Sequence, residues 1–174
     1  LQGEMQGVWF AAAVGTVGED LGATGDLDIT TPVRVIHTGI NAAHVTSRVN
    51  DERVFHVFGT GVVLQGLTIT GGFSGIEGSD HGGGILNEGV LTVKNSTITD
   101  NGATYGGGIS NNGISELTVV NSTVSGNTAA ADGGGISVET DGVAKLRSST
   151  IADNTADVNG SGGGDGGGIF STTA

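Results

Sequence analysis

The 174-residue chain has no cysteine, a single proline and only 4% aromatic residues. With 36% hydrophobic residues and few large rings, it can bury a slim, elongated aliphatic core but not a broad globular one. The absence of cysteine suits an extracellular bacterial protein that needs no disulfides, and it suits a cytosolic protein equally well. The longest apolar run, Val8 to Val14, is far shorter than the roughly 20 residues that span a bilayer.

Basic residues are also scarce, since six Lys and Arg face eighteen Asp and Glu and leave a net charge of −12. A polyanion would be repelled by this charge, and no basic stripe with stacking aromatics compensates for it, so nucleic acid is not expected as a partner. Anionic membranes and acidic polysaccharides are disfavoured for the same reason. The charge favours solubility and, at most, loose binding of divalent cations.

Glycine is abundant, with 35 residues, and it is organised. The tetrapeptide Gly-Gly-Gly-Ile begins at Gly82, Gly106, Gly133 and Gly166, at intervals of 24 to 33 residues. Repeats of this length are typical of solenoids, in which each unit buries its apolar face only against its neighbours. The sequence predicts a single all-β domain over residues 1–174, a right-handed single-stranded parallel β-helix of about six to seven rungs with little or no helix.

Alignment of the repeats superimposes aliphatic residues, because alternate side chains of a strand point to opposite faces and equivalent positions stack from turn to turn. Residues 59–174 hold the regular repeats, and a turn before the first glycine triplet fits the same pattern. The predicted core columns are Ile85, Ile109, Ile136 and Ile169; Val62, Leu91, Leu117 and Ala144; Leu64, Val93, Val119 and Leu146; and Ile69, Ile98, Val124 and Ile151.

Asparagines align beside these columns. Asn101, Asn127 and Asn154 follow the last strand of each repeat, and Asn95 and Asn121 stand at the preceding bend. Side-chain amides repeated at the rung spacing of roughly 4.8 Å can hydrogen-bond along the coil, so both sets are predicted to form structural ladders. The glycine triplets are predicted to form corners that need positive φ or close backbone approach.

Residues 1–58 are less regular. Asp26 to Thr30, Val33 with Val35, and Arg53 to Val57 alternate as strands do, and they are predicted to be early rungs with looser turns. Val8, Trp9 and Phe10 near the start are predicted either to cap the first rung or to contact another chain. The chain opens on Leu1, from which we expect a removed leader or a longer precursor.

The sequence gives little indication of a metal site or a catalytic site. Glu77, Asp80 and His81 share one loop, and Asp157 and Asp165 share another, but neither loop supplies the six to eight oxygens that calcium prefers. No cofactor is predicted beyond weakly bound calcium, and the four histidines show no ligand spacing. Asp100 and Asp153 are the best carboxylate pair, two rungs or roughly 9–10 Å apart, at the outer limit of an inverting glycosidase pair. No catalytic residue is predicted.

Two of the repeats are similar to repeats of a known kind. They are Gly82-Gly-Gly-Ile-Leu-Asn87 with Asn95-Ser-Thr-Ile-Thr-Asp-Asn101, and Gly106-Gly-Gly-Ile-Ser-Asn111 with Asn121-Ser-Thr-Val-Ser-Gly-Asn127. They resemble the repeats of right-handed parallel β-helix surface proteins: the polymorphic outer-membrane-protein repeat family and secreted bacterial proteins with a CSLREA-type leader domain. Gly18 to Ile29 and Arg53 to Phe55 resemble the N-terminal rungs of the second group, although the leader motif itself is missing. The resemblance implies secretion and a surface, adhesive or structural role, with no catalytic set to transfer.

The predicted function is based on the two ends of the predicted coil. Terminal rungs of a solenoid expose unpaired backbone groups, and the chain closes on the opening strand of a further repeat, with Ile169 and Phe170. Together with Val8, Trp9 and Phe10, these residues are the predicted interface for head-to-tail stacking of copies into an extracellular filament or surface stalk. The alternative is a fragment of a longer, capped surface adhesin with an unknown glycan ligand. A polysaccharide lyase or glycoside hydrolase is the least favoured reading, because a lined cleft is not evident.

Overall fold

The computed structural model describes residues 8–11, 17–18, 26–39, 43–47, 52–75, 80–160 and 163–172, which form strands and turns without helix. Four sheets contain all the strands. The six-stranded sheet holds β1 (Val8–Ala11), β4 (Arg34–His37), β7 (Thr60–Gln65), β10 (Val90–Lys94), β14 (Glu116–Val120) and β18 (Val143–Arg147). The seven-stranded sheet holds β2 (Val17–Gly18), β3 (Leu27–Ile29), β6 (Phe55–Val57), β9 (Ile85–Asn87), β13 (Ile109–Asn111), β17 (Ile136–Val138) and β20 (Ile169–Ser171). The five-stranded sheet holds β5 (Ala43–Thr46), β8 (Leu67–Thr70), β11 (Thr97–Thr99), β15 (Thr123–Ser125) and β19 (Thr150–Ala152), and in the two-stranded sheet β12 (Gly102–Ala103) pairs with β16 (Thr128–Ala129).

From β3 onward, the chain visits the three large sheets in the same order in every turn and pairs each of their strands, in parallel, with its equivalent one turn away. This arrangement is a β-solenoid, and the predicted fold class is confirmed. Five strand triplets follow one another from β3 to β19, and β20 opens the next turn. The described residues thus hold slightly fewer turns than the predicted six to seven.

The predicted core columns are confirmed in register. Ile109 pairs with Ile85 and Ile136, and Leu117 lies between Leu91 and Ala144. The turn upstream of the first glycine triplet also fits, since Val62 pairs with Leu91. Side chains of the middle turns are fully buried in one continuous aliphatic core, so the coil is held together by contacts between neighbouring turns.

The first two described strands do not form a further parallel rung. Strand β1 runs antiparallel to β4, with Trp9 paired to Ile36, and β2 runs antiparallel to β3. The predicted early rungs at Leu27–Ile29, Arg34–His37 and Phe55–Val57 are parallel and confirmed. The chain therefore covers two strand edges of its first turn with its own backbone.

The opposite end of the coil is open among the described residues. Ala144, Leu146 and Ile151 are only partly buried, whereas their equivalents one turn earlier have no exposed surface. Ile169 is 43% exposed although Ile136, its partner in the same column, is 0% exposed. A hollow of about 490 Å³ opens here, lined in part by Val138, Val143 and Leu146.

The glycine triplets form the corners that lead into the seven-stranded sheet, as predicted. Their first members, Gly82, Gly106, Gly133 and Gly166, all have φ between +62° and +65°. A β-carbon at any of these four positions would lie 2.3 to 2.6 Å from the carbonyl oxygen three residues later. Only glycine fits there, and the tight corner brings the residue before it back over the outer face of the sheet.

Candidate functional surfaces

Three of the predicted asparagines form a buried amide ladder inside the coil. Asn101 Nδ2 donates to Asn127 Oδ1, and Asn127 Nδ2 donates to Asn154 Oδ1, each over 2.9 Å. The same oxygens accept the backbone N–H groups of Asn101 and Asn127. Because Asn101 and Asn127 are almost completely buried, these bonds satisfy polar groups that water cannot reach. The ladder is structural and presents no chemistry to solvent.

The prediction of a second amide ladder at Asn95 and Asn121 is wrong. Both side chains are exposed, and both residues have a φ of 48°, which asparagine tolerates better than most residues. Serines form the ladder at this bend instead. The backbone N–H of Ser96 donates to Ser122 Oγ over 3.2 Å, and that of Ser122 donates to Ser149 Oγ over 3.3 Å.

A third ladder went unpredicted at the end of the strands of the seven-stranded sheet. Asn87 Nδ2 donates to Asn111 Oδ1 over 2.7 Å, and both residues are fully buried. The sequence signal was present, because both asparagines stand at the same position after their glycine triplets.

The outer face of the seven-stranded sheet carries an acidic-histidine cluster, made of Asp26, Asp28, Arg53, His56 and Glu88. Its centre is His56, whose Nδ1 lies 3.6 Å from Asp28 Oδ1 and whose Nε2 lies 3.0 Å from Glu88 Oε2. Arg53 Nη1 lies 3.3 Å from His56 Nδ1 and 3.5 Å from Asp26 Oδ2. Strands β3 and β6 bring the cluster together by pairing Asp28 with His56.

Ligand atoms of Asp26, Asp28 and His56 lie within 4.8 Å of one another, close enough to hold a metal ion. The guanidinium of Arg53 already supplies positive charge at this place, and a divalent ion would have to compete with it. The cluster is therefore best described as a charge network between neighbouring turns. Sequence reasoning missed it because its members come from non-repeated segments up to 62 residues apart.

A serine-histidine cluster lies further along the same face, made of His81, Ser110, Ser137 and Glu139. His81 Nδ1 lies 3.2 Å from Glu139 Oε1 and 3.4 Å from Ser110 Oγ, and the Ser137 hydroxyl lies 3.0 Å from Glu139 Oε1. Burial raises the pKa of the Glu139 carboxyl, but the hydrogen bond and charge of His81 and the hydrogen bond of Ser137 outweigh it, so that pKa lies below its ordinary value. The ring of Tyr105 stacks on His81 at 5.0 Å.

Serine, histidine and glutamate are the residue types of a hydrolytic triad, but their geometry here differs from one. A triad histidine uses one nitrogen toward the serine and the other toward the acid. His81 turns the same nitrogen, Nδ1, toward both Ser110 and Glu139. Ser110 is also completely buried, so a substrate carbonyl has no access to its hydroxyl. The cluster clamps three successive turns together instead of activating a nucleophile.

Neither of the two candidate metal loops brings three ligating side chains together among the described residues. Within the described part of the chain, Asp26, Asp28 and His56 are the only group of three ligating side chains. Asp80 accepts the N–H groups of Thr104 and Tyr105 through its backbone oxygen, and the Asp165 N–H donates to Asp132 Oδ1. Asp157 occupies a turn at a φ of 56°. Glu77 lies outside the described residues.

The carboxylate pair also lacks a cleft. Asp100 and Asp153 are exposed corner residues with φ of 55° and 54°, and Gly126 stands between them in the intervening turn. Asp100 lines an open hollow of about 370 Å³ beside Phe73, and Asp153 does not. The two acids therefore do not share this hollow.

Charge is distributed unevenly between the other two faces. The six-stranded sheet turns four of the chain's six basic residues outward, all exposed: Arg34, Lys94, Lys145 and Arg147. Glu116 pairs with Lys145 on the same face. Outward positions of the five-stranded sheet, from β8 to β19, carry hydroxyl groups at seven of eight places, with Ala152 at the eighth, and no charge.

These features define a parallel β-solenoid with polar ladders at its bends and, within residues 8–172 as far as they are described, an open last turn. No family model, curated protein or solved structure gives a significant match to the chain. Among the described residues, no helix is long and apolar enough to cross a membrane.

Proposed function

We propose that the protein is an extracellular structural subunit whose coils stack end to end into a filament or surface stalk. The open apolar end carries this proposal. Ile169, an inward column residue, exposes 43% of its surface at the last turn, beside partly buried Ala144 and Leu146, and such a surface is stabilised when another turn covers it. The partner proposed is a second copy, whose first strands β1 and β2 would lie over this surface.

The geometry at the two ends is compatible with this junction. The six-stranded sheet ends on β18 at one side and β1 at the other, and the seven-stranded sheet ends on β20 and β2. Strand β1 runs antiparallel to β4, and β4 is parallel to the later strands of its sheet. Head-to-tail contact would therefore pair β18 with β1 of the next copy in antiparallel orientation, satisfying backbone groups on both edges. Such a contact does not close on itself and generates a filament.

A non-enzymatic role fits the polar clusters. The His81 geometry does not match a triad, and Asp100 and Asp153 share no cleft. The resemblance of the repeats to those of secreted β-helix surface proteins supports an extracellular location and a structural or adhesive role. No nucleic-acid partner, membrane insertion or required cofactor is part of the proposal.

Negative-stain microscopy combined with sedimentation at increasing concentration tests the stacking. We expect strings of stacked particles for the native protein and their loss in Ile169→Lys, which places a charge in the proposed junction. The matched control is Ile114→Lys, because Ile114 is 88% exposed on a lateral loop, and it should still assemble. Uniform monomers at high concentration, or assembly that survives Ile169→Lys unchanged, would contradict the proposal.

Mass spectrometry of the natural polypeptide tests the alternative, a longer adhesin. A natural product that continues into further glycine-triplet turns would place those turns over Ile169, and the adhesin would then replace the filament as the preferred function. A natural product that ends at Ala174 would support stacking.

A further inference from the structure

Four of the five strands of the five-stranded sheet carry a grid of hydroxyl groups on their outer face, and the fifth, β5, places His44 and Thr46 in the same two columns. Strands β8, β11, β15 and β19 pair in register, so that their outward residues form two parallel columns. Seven of the eight positions carry a hydroxyl, and all eight are at least partly exposed. The columns are Thr68, Thr97, Thr123 and Thr150, and Thr70, Thr99, Ser125 and Ala152. We call this surface the threonine grid.

The grid has a fixed spacing in two directions. Neighbouring turns set about 4.8 Å along the coil, and two residues of one strand set about 6.6 Å across it. The inward residues Ile69, Ile98 and Val124 are fully buried between the two columns, which holds the strands in place. Threonine is also restricted about χ1, so its hydroxyl and methyl groups keep few orientations. Thr99 donates to Asp100 Oδ2 at the edge of the grid.

Strand propensity alone does not explain this composition. Outward positions of the six-stranded sheet face the same solvent and have the same geometry, yet they mix Thr, Val, Gln, Glu, Lys and Arg. In a chain with a net charge of −12, an uncharged face of this size over four turns is a specific feature. It also lacks aromatic rings, which a surface for binding sugars would use for stacking.

We propose that the threonine grid binds the surface of ice. Its repeat distances are of the same size as the oxygen spacings on a prism face of ice. Hydroxyl groups on such a grid can hydrogen-bond water molecules at lattice positions, and the methyl groups beside them leave the intervening water to bond to itself. Charged groups would hold hydration water in other orientations, and the grid has none. This binding is independent of end-to-end stacking, since the grid lies on the side of the coil.

Ice-affinity partitioning of the purified full chain tests the proposal, with thermal hysteresis as the second readout. The native protein is expected to concentrate in a slowly growing ice phase, and Thr123→Lys, at the centre of the grid, to lose most of that bound fraction. Thr118→Lys is the matched control, because Thr118 is the outward, partly exposed residue of β14 on the six-stranded sheet, and it should bind as the native protein does. Circular dichroism checks that both variants fold, and Thr97→Val, which keeps the shape, should lower binding less than Thr123→Lys.

Exclusion of the native protein from ice, at the level of a non-binding protein, would overturn the proposal. Equal losses in Thr123→Lys and Thr118→Lys would overturn it too, because they would remove any special role of the grid. Adsorption to microcrystalline cellulose without retention by ice would assign the grid to a crystalline polysaccharide and would also refute the proposal.

Discussion

Replacement of Asn127 by alanine removes the middle amide of the buried ladder. Its Nδ2 donates to Asn154 Oδ1 and to the backbone oxygens of Ile98 and Ser125. Its Oδ1 accepts both the backbone N–H and the side-chain Nδ2 of Asn101, and Asn101 Nδ2 keeps the backbone oxygens of Ile69 and Thr99 as acceptors when Oδ1 is removed. Alanine leaves the Asn101 N–H without this acceptor in a region that water does not reach, while Asn154 Oδ1 still accepts the Asn127 N–H. The change therefore breaks the ladder without altering the aliphatic columns.

The expected cost follows from these contacts. A buried N–H left unsatisfied costs about 1–3 kcal/mol, and each of the two lost bonds to backbone oxygens costs about 1 kcal/mol. The free energy of unfolding should therefore fall by about 3–5 kcal/mol, a large share of the about 5–15 kcal/mol typical of a domain.

Urea unfolding followed by circular dichroism measures this loss. Asn121→Gly is the control, because Asn121 is an exposed corner residue at a φ of 48°, where glycine is tolerated equally well. Its free energy of unfolding should change by less than about 0.5 kcal/mol. If Asn127→Ala also stayed within about 0.5 kcal/mol of the native protein, the claim that the ladder stabilises the coil would be refuted.

Three further predictions concern the core, a glycine corner and the Glu139 carboxyl. Ile109→Ala should destabilise the coil by about 2–5 kcal/mol, because this side chain is buried. Ile169→Ala should cost less than about 1 kcal/mol, because Ile169 is 43% exposed. Equal losses of unfolding free energy in denaturant would contradict the stacked core. Gly113→Ala should cost about 1–2 kcal/mol, because alanine is strained at its positive φ. Gly106→Ala should cost clearly more, because its β-carbon would also lie 2.5 Å from the backbone oxygen of Ile109. Thermal melts that rank the two variants the other way would be inconsistent with a tight corner at Gly106. Because the folded pKa of Glu139 is lowered, its contribution to the free energy of unfolding is present above its ordinary pKa of 4.5 and is lost as pH falls through the folded pKa. Glu139→Gln should remove that part of the pH dependence of stability. Identical stability–pH profiles for the native protein and the variant would argue against the contact with His81.

The repeated parts of the molecule could be predicted because stacking turns periodicity into contact. Four isoleucines that follow a glycine triplet must share a column once the turns are parallel, and Ile85 to Ile169 do. The Asn101 ladder could be predicted for the same reason. The prediction of a ladder at Asn95 was wrong because alignment gives the column of a residue but not the direction of its side chain at a bend. The adjacent Ser96 takes the inward position instead.

The non-repeated parts could not be predicted in this way. Strand β1 lies outside the repeats, so no period indicated that it would pair antiparallel with β4. The cluster around His56 needs the register between β3 and β6 and the return of the chain at Glu88. His81 reaches Glu139, two turns away, only because Gly82 bends the chain back over the sheet.

The claim on which the structure rests is that equivalent residues lie directly over one another in successive turns, and a designed disulfide tests it most directly. The native chain has no cysteine, so a pair introduced at Thr97 and Thr123, which are partners in neighbouring turns, reacts without competition. Their separation of about 4.8 Å lies within the about 4.4–6.8 Å that a disulfide bridges. Thr97→Cys with Thr123→Cys should cross-link fully under mild oxidation, and Thr97→Cys with Thr150→Cys, two turns or about 9.6 Å apart, should stay reduced. Failure of the first pair to form, or equal formation of both, would contradict the stacked coil.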